Sequence, residues 1–290
     1  MSRGIPIAAM ALTLLSLSGW AAQRYPVTGL VLAVDSAHHS MTVSCQSVSG
    51  YMDAMTMPFS VRDPKALDGL APGTMIDFML VVDKNSSYAD DIRVHRYENL
   101  EQEPLEARRL ALLNHLSAPA TANVLASGQP VPDFTLTDQT RQPVTFSKLN
   151  GKVVAISFAY ISCPNPDYCF RLANNLSQLR KRFPNQMGRD LVLLTIIIDP
   201  EHDQGEALAN YARVWNADPQ NWHFLTGPLP EIKRVSSMFG MEFWKDEALL
   251  THSFHTVVID RQGRLAANLE GNQFTAQQLG DLVKVVLTGP

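Results

Sequence analysis

At 290 residues, with 46% hydrophobic and 18% charged residues, the chain has ordinary globular composition and room for one large or two modest domains. Its formal net charge of −4 leaves no basic excess, which argues against a nucleic-acid partner.

The first 21 residues read as an export signal. Arg3 gives a positive start, Ile5 to Leu17 is apolar, and Gly19-Trp20-Ala21 offers small residues where a signal peptidase reads, so cleavage after Ala21 is expected. The alternative is an uncleaved N-terminal membrane anchor, because the apolar stretch approaches the lower limit for a span. Either route places the rest of the chain in the periplasm or an equivalent exported compartment. No cysteine closely follows the apolar run, so a lipoprotein anchor is not indicated. Three cysteines are an odd count and too few for a disulfide framework. Reactive or metal-binding thiols fit an exported chain of this kind better.

Residues 25–98 read as a small all-β unit. Candidate strands are Tyr25 to Val34, Ser40 to Cys45, Ala54 to Val61, Met75 to Val82 and Asp90 to Tyr97, separated by turn formers such as Ser49-Gly50 and Pro72-Gly73. Five short strands suit a compact OB-type barrel. Residues 99–127, helical in part and then rich in Ala and Ser, read as a linker. From Gly128 to the C-terminus strands and helices alternate. The strands are Val153 to Tyr160, Leu191 to Ile198, Trp222 to Thr226, Thr256 to Ile259 and Leu265 to Glu270. The helices are Tyr168 to Phe183, Gly205 to Trp215, Leu229 to Phe239 and Thr275 to Leu287, the last with Thr275 as N-cap and Gln278 three residues on. The pattern predicts an α/β sheet with helices on both faces.

In the second unit Cys163 and Cys169 follow the apolar run Val153 to Tyr160, on the carboxyl edge of the sheet where α/β folds keep their chemistry. Asn165-Pro166-Asp167 reads as a helix start, which puts Cys169 in the first turn, where the helix dipole favours a thiolate. The strand–cysteine–helix layout, Gly151-Lys152-Val153-Val154, Asp199-Pro200, Leu225-Thr226-Gly227, and His252-Ser253 followed by Ile259-Asp260-Arg261-Gln262-Gly263 resemble the Sco (SenC) family. These are thioredoxin-fold copper proteins of cytochrome c oxidase assembly. The resemblance implies that Cys163, Cys169 and His252 bind copper, as Cu(I) or Cu(II), and two thiolates with an imidazole suit that metal. His255 is the competing histidine, and the register of the motif favours His252. Two features depart from the family: five residues separate the cysteines where three are usual, and Thr251 stands where Asp commonly precedes the histidine. A peroxiredoxin motif would need Pro at 156 and Thr at 160, where the chain has Ile156 and Tyr160.

In the first unit Met55 and Met57 share one face of their strand, and Cys45 ends the neighbouring one. Two thioethers and a thiolate make a soft, Cu(I)-selective set. The strand order, Thr28-Gly29, Pro72-Gly73-Thr74 and Met55-Thr56-Met57 resemble the CusF-type periplasmic copper-binding barrel. By that resemblance Met55 and Met57 are ligands, Cys45 occupies the histidine position, and Met52 stands near the capping tryptophan as a third thioether or an apolar lid. His38 and His39 fall in a turn and read as solvated.

Together these resemblances imply an α/β thioredoxin-like domain preceded by a small OB-type barrel. They imply a metallochaperone that passes copper to an acceptor such as a respiratory oxidase subunit. Two alternatives stay open: a thiol–disulfide oxidoreductase using Cys163 and Cys169 as its redox pair on acceptor cysteines, and a protein that buffers copper.

Overall fold

The computed structural model describes residues 22–84, 86–95, 124–163, 169–246 and 249–289. The export signal, the helix start at residues 165–167, Tyr97 and most of the expected linker lie outside the described residues.

Five antiparallel strands form the first unit: β1 (Gln23–Asp35), β2 (Ser40–Cys45), β3 (Met55–Ser60), β4 (Met75–Val82) and β5 (Ser87–Val94). Their order is β3-β2-β1-β4-β5, and a bridge between Val61 and Ala89 brings the two edges together. β5 begins three residues before its predicted start at Asp90. Val27, Val31, Met41, Val43, Phe59, Ile76, Phe78 and Leu80 fill the barrel interior.

The second unit opens with a hairpin of β6 (Thr135–Thr137) and β7 (Pro143–Thr145), which the sequence reading did not anticipate. Its main sheet contains β8 (Val153–Ala159), β9 (Leu191–Ile197), β10 (Trp222–Leu225), β13 (His255–Ile259) and β14 (Leu265–Glu270), in the order β10-β9-β8-β13-β14. β8, β9 and β10 run parallel, and β13 and β14 are antiparallel additions. β8 and β9 are buried at every residue, as expected of strands covered on both faces. The helices are α1 (Arg171–Arg182), α2 (Glu206–Val214), α3 (Leu229–Ser237) and α4 (Ala276–Thr288). A second unforeseen hairpin pairs β11 (Phe243–Asp246) with β12 (Leu249–His252), so His252 ends a strand and does not lie in a plain loop. None of the described helices is long and apolar enough to cross a membrane.

The two units pack against each other. On β1 the odd residues Val27 and Val31 face the barrel interior, while Leu30 and Leu32 join the core of the second unit together with Met75 of β4. α4 lies along this outer face. Thr275 and Gln278 form the capping box predicted from sequence, and the same glutamine side chain, 1% exposed, donates from Nε2 to the Ser44 carbonyl of β2 at 3.0 Å. Asp281 Oδ2 accepts from Ser44 Oγ at 2.7 Å and from Thr56 Oγ1 at 2.9 Å, and its Oδ1 accepts from Arg182 at 2.5 Å. These contacts hold its carboxyl below the usual range against the opposing cost of partial burial. His95 bridges Asp77 of β4 and Gln273 just before α4. Gly73, at φ +94°, brings its turn against β14, where an added Cβ would lie 3.1 Å from the Ala267 Cβ and 3.3 Å from the Asn268 backbone.

Candidate metal centres

β8 delivers Tyr160 and the following turn to the carboxyl edge of the sheet, and the chain returns as α1. Cys169 and Phe170 form a wider π-type turn leading into α1, which begins at Arg171, two residues after the cysteine. No disulfide joins any two of the three cysteines; Cys169 is 2% exposed and Cys163 is half-buried. The Cys163 and Cys169 side chains are hydrogen-bonded to each other.

The expected dipole-stabilised thiolate at Cys169 is not found. The hydrogen bond with Cys163 and then burial push the Cys169 thiol far up, and the nearby Asp203 charge acts in the same direction. The Tyr160 backbone N–H opposes them only in part. A short dipole effect at a helix end falls off within one turn, while the loss of water acts on the whole sulfur. Cys169 is therefore a protonated thiol at neutral pH in the metal-free protein, and a metal must displace its proton to bind it.

His252 packs against Tyr160, at the end of β8, its ring edge-on to Tyr160 at 5.5 Å and to Phe254 at 4.6 Å between centroids. Nδ1 donates to the Ser253 carbonyl at 2.8 Å, which fixes the tautomer and leaves the Nε2 lone pair as the ligand atom. Burial brings this imidazole down to about 4, so it stays neutral and able to coordinate. Ser253 also closes the hairpin base: its N–H donates to Glu242 and its hydroxyl accepts from the Glu242 N–H. His255 is committed elsewhere. Its Nδ1 donates to Asn268 Oδ1 at 2.9 Å, and Asn268 donates in turn to the Phe239 carbonyl.

Tyr160 thus touches Cys169 through its backbone and His252 through its ring, but the ligand atoms of Cys163, Cys169 and His252 are not all within 4.8 Å of one another. Among the described residues only Asp199, Glu201 and His202 form such a group of three. That group lies at the surface, with His202 paired to both oxygens of Asp199 at 3.0 Å. The donor set, two sulfurs and a neutral nitrogen, fits copper.

Sequence reasoning missed Asp203, which is 2% exposed and whose Oδ2 accepts the Ile161 N–H at 2.6 Å, holding the turn that leads to Cys163. It also missed Tyr160, whose ring packs edge-on against His252. Asp203 carried a signal, since it closes the run Asp199-Pro200-Glu201-His202-Asp203, but only the fold places it beside the cysteines.

In the barrel, Cys45 is directly opposite Met55 in the β2–β3 register, and Met57 is opposite Val43. Cys45 is 1% exposed and Met55 43%, so the pair runs from the packed interior to the surface, with Met57 half-buried between these extremes. Met52, bridged to Val48, packs on the same core, and its neighbour Tyr51 stacks on Tyr25 at 4.0 Å. Burial pushes the Cys45 thiol up to about 12. Gly29 pairs with Cys45 across β1, where an added Cβ would lie 2.3 Å from Val43 Cγ1 and 3.1 Å from the Ser44 carbonyl oxygen. Gly29→Ala is expected to destabilise the barrel by about 1–3 kcal/mol through overpacking. It should also weaken Cu(I) binding there; denaturation and competition against a Cu(I) chelator would check both. His38 pairs with Asp35 at 2.7 Å in the exposed turn.

The family model described as SCO1/SenC matches residues 125–287, more than half of the chain. The chain belongs to the SCO1/SenC family. The model described as copper binding periplasmic protein CusF matches residues 24–92, the barrel. A Stutzerimonas stutzeri protein whose name conjectures copper binding is 24% identical over 54% of this chain and 76% of its own length. A SCO2-like protein of Rickettsia typhi is 30% identical over 45% of this chain, and the match spans 65% of that relative. Among solved structures, copper-bound ScoI of Arabidopsis thaliana is 26% identical, covering 55% of this chain and 96% of its own, with a TM-score of 0.46. The SCO1/SenC segment is thus the thioredoxin-like α/β unit and the CusF segment the β barrel in front of it.

Proposed function

We propose that this SCO1/SenC protein is an exported copper metallochaperone with two sites: Cys163, Cys169 and His252 in the thioredoxin-like unit, and Cys45, Met55 and Met57, with Met52 beside them, in the barrel. Its acceptor is the copper centre of a respiratory oxidase subunit or a similar protein. The observation that carries this reading is the Cys163–Cys169 thiol contact at the end of β8, together with a buried neutral histidine against Tyr160 of that strand's end whose tautomer leaves Nε2 available. Few-coordinate soft sites release Cu(I) readily to an incoming thiolate, which displaces one ligand at a time. The test is to mix copper-loaded protein with a metal-free oxidase copper-centre domain. Copper should move to the acceptor, and an acceptor that stays empty refutes delivery.

The thiol–thiol contact supports a second reading, reduction of acceptor cysteines. There Cys163 and Cys169 would form a disulfide and pass two electrons and two protons to an acceptor disulfide, leaving it as two thiols. His252→Ala separates the two functions. It should lower copper affinity at this site by tenfold or more while leaving dithiol reductase activity intact. A variant with unchanged copper affinity removes the histidine from the site.

A further inference from the structure

The surface beside the thiol pair constrains the partner that takes its copper, and the inference rests on the delivery reading above. Phe170 directly follows Cys169, and consecutive Cα atoms stand about 3.8 Å apart. Cys169 is 2% exposed, yet Phe170 is 55% exposed. Among the described residues of the second unit it is the only exposed Phe, Tyr or Trp. Its ring is not loose. It lies on Trp215, at 4.9 Å between centroids, and Trp215 is itself 7% exposed and edge-on to Tyr211 at 6.4 Å. Burial pushes the Tyr211 hydroxyl up to about 12, and the charges of Cys169, Cys163 and Asp203 act in the same direction, so this phenol lies within electrostatic reach of both thiols. The rings of Tyr211, Trp215 and Phe170 therefore run from beside the thiol pair to the surface, with Phe170 at the open rim.

Ligand exchange needs donor and acceptor sulfurs on one metal ion. An acceptor that bonds copper held by Cys169 therefore comes down beside the next residue of the chain. A ring already fixed on a buried neighbour has little freedom left to lose, and covering it removes apolar surface from water. Aromatic side chains in such positions carry much of the energy of protein–protein contacts. We propose that Phe170 is the docking residue of the thiol site, covered during exchange by an apolar side chain that the copper acceptor carries next to its own copper-binding cysteines.

The test compares the copper-loaded full chain with Phe170→Ser and with Phe170→Tyr, which keeps the ring. Each is mixed with the metal-free copper-centre domain of an oxidase subunit. Departure of copper from the thiol site is followed by mass spectrometry as renewed alkylation of Cys163 and Cys169. Phe170→Ser is expected to slow the second-order transfer about tenfold or more, and Phe170→Tyr to transfer like the parent. A small Cu(I) chelator needs no docking and should strip the thiol site at the same rate in all three chains. Equal transfer by Phe170→Ser and the parent overturns the inference and leaves delivery standing. A parent that passes no copper refutes delivery, and the inference with it. Phe170→Tyr as slow as Phe170→Ser removes the ring as the cause. A changed rate of stripping by the chelator places the effect in the site and not in docking, and overturns the inference. So does a dimer of the parent that Phe170→Ser abolishes, because the ring would then be covered by a second copy of the chain.

Discussion

Replacing Cys163 and Cys169 together by alanine is expected to cut copper binding from two ions per chain to one and to leave a single Cu(I) in the barrel. The two sulfurs are the soft donors of the site, and His252 alone, a borderline nitrogen ligand, does not hold Cu(I) against a chelator. The change should cost little stability. Cys163 is half-buried, and losing the Cys169 sulfur leaves a small cavity worth about 1 kcal/mol in a core where much larger truncations cost 2–5. Metal analysis of the purified variant, with thermal unfolding to confirm the fold, gives the result. Two coppers retained would refute the assignment of these cysteines, whatever their redox activity. In the parent, loading should release a proton, since the Cys169 thiol starts protonated.

Cys45→Ala is expected to remove the other ion. Met55 and Met57 would remain as two neutral thioethers, one of them at the surface, and without a thiolate they offer no charge to offset the desolvation of Cu(I). The buried thiol, pushed up to about 12, must lose its proton to the metal. Binding in the barrel should therefore weaken as pH falls, more steeply than a site of thioethers alone. Cu(I) competition titrations of the parent and Cys45→Ala at two pH values check both statements. Unchanged affinity in the variant would assign the metal to the methionines alone.

The barrel strands, the five strands of the main sheet and the four described helices were legible because their apolar residues recur with period two or 3.6 or fill continuous runs, whereas the three-residue strands β6 and β7 were too short to show either. The capping box of α4 was also legible, since Thr275 and Gln278 carry it locally. The hairpin ending in His252 was not. Phe243 to Asp246 and Leu249 to His252 are four-residue strands, too short to show a period, and only pairing defines them. The protonated state of Cys169 was also hidden. A sequence places it near a helix start, but burial and a neighbouring thiol depend on how the turn folds back. One trace of the domain interface was present in Leu30-Val31-Leu32, where a strand of a one-sided barrel should alternate and instead is apolar on both faces.

The sequence by itself determined the two folds, their order and the soft residues on which any copper chemistry must rest, because strand and helix periodicity and ligand type are local properties of the chain. The tertiary structure alone decided which donors stand together and which way they face. It set Cys163 against Cys169, turned His252 by a carbonyl bond, and seated the barrel on α4 through Ser44, Thr56, Gln278 and Asp281. These are contacts between residues up to 237 positions apart. Polar side chains of this kind carry no periodic signature, and their partners are fixed only when buried hydrogen-bonding groups must be satisfied across a packed interface.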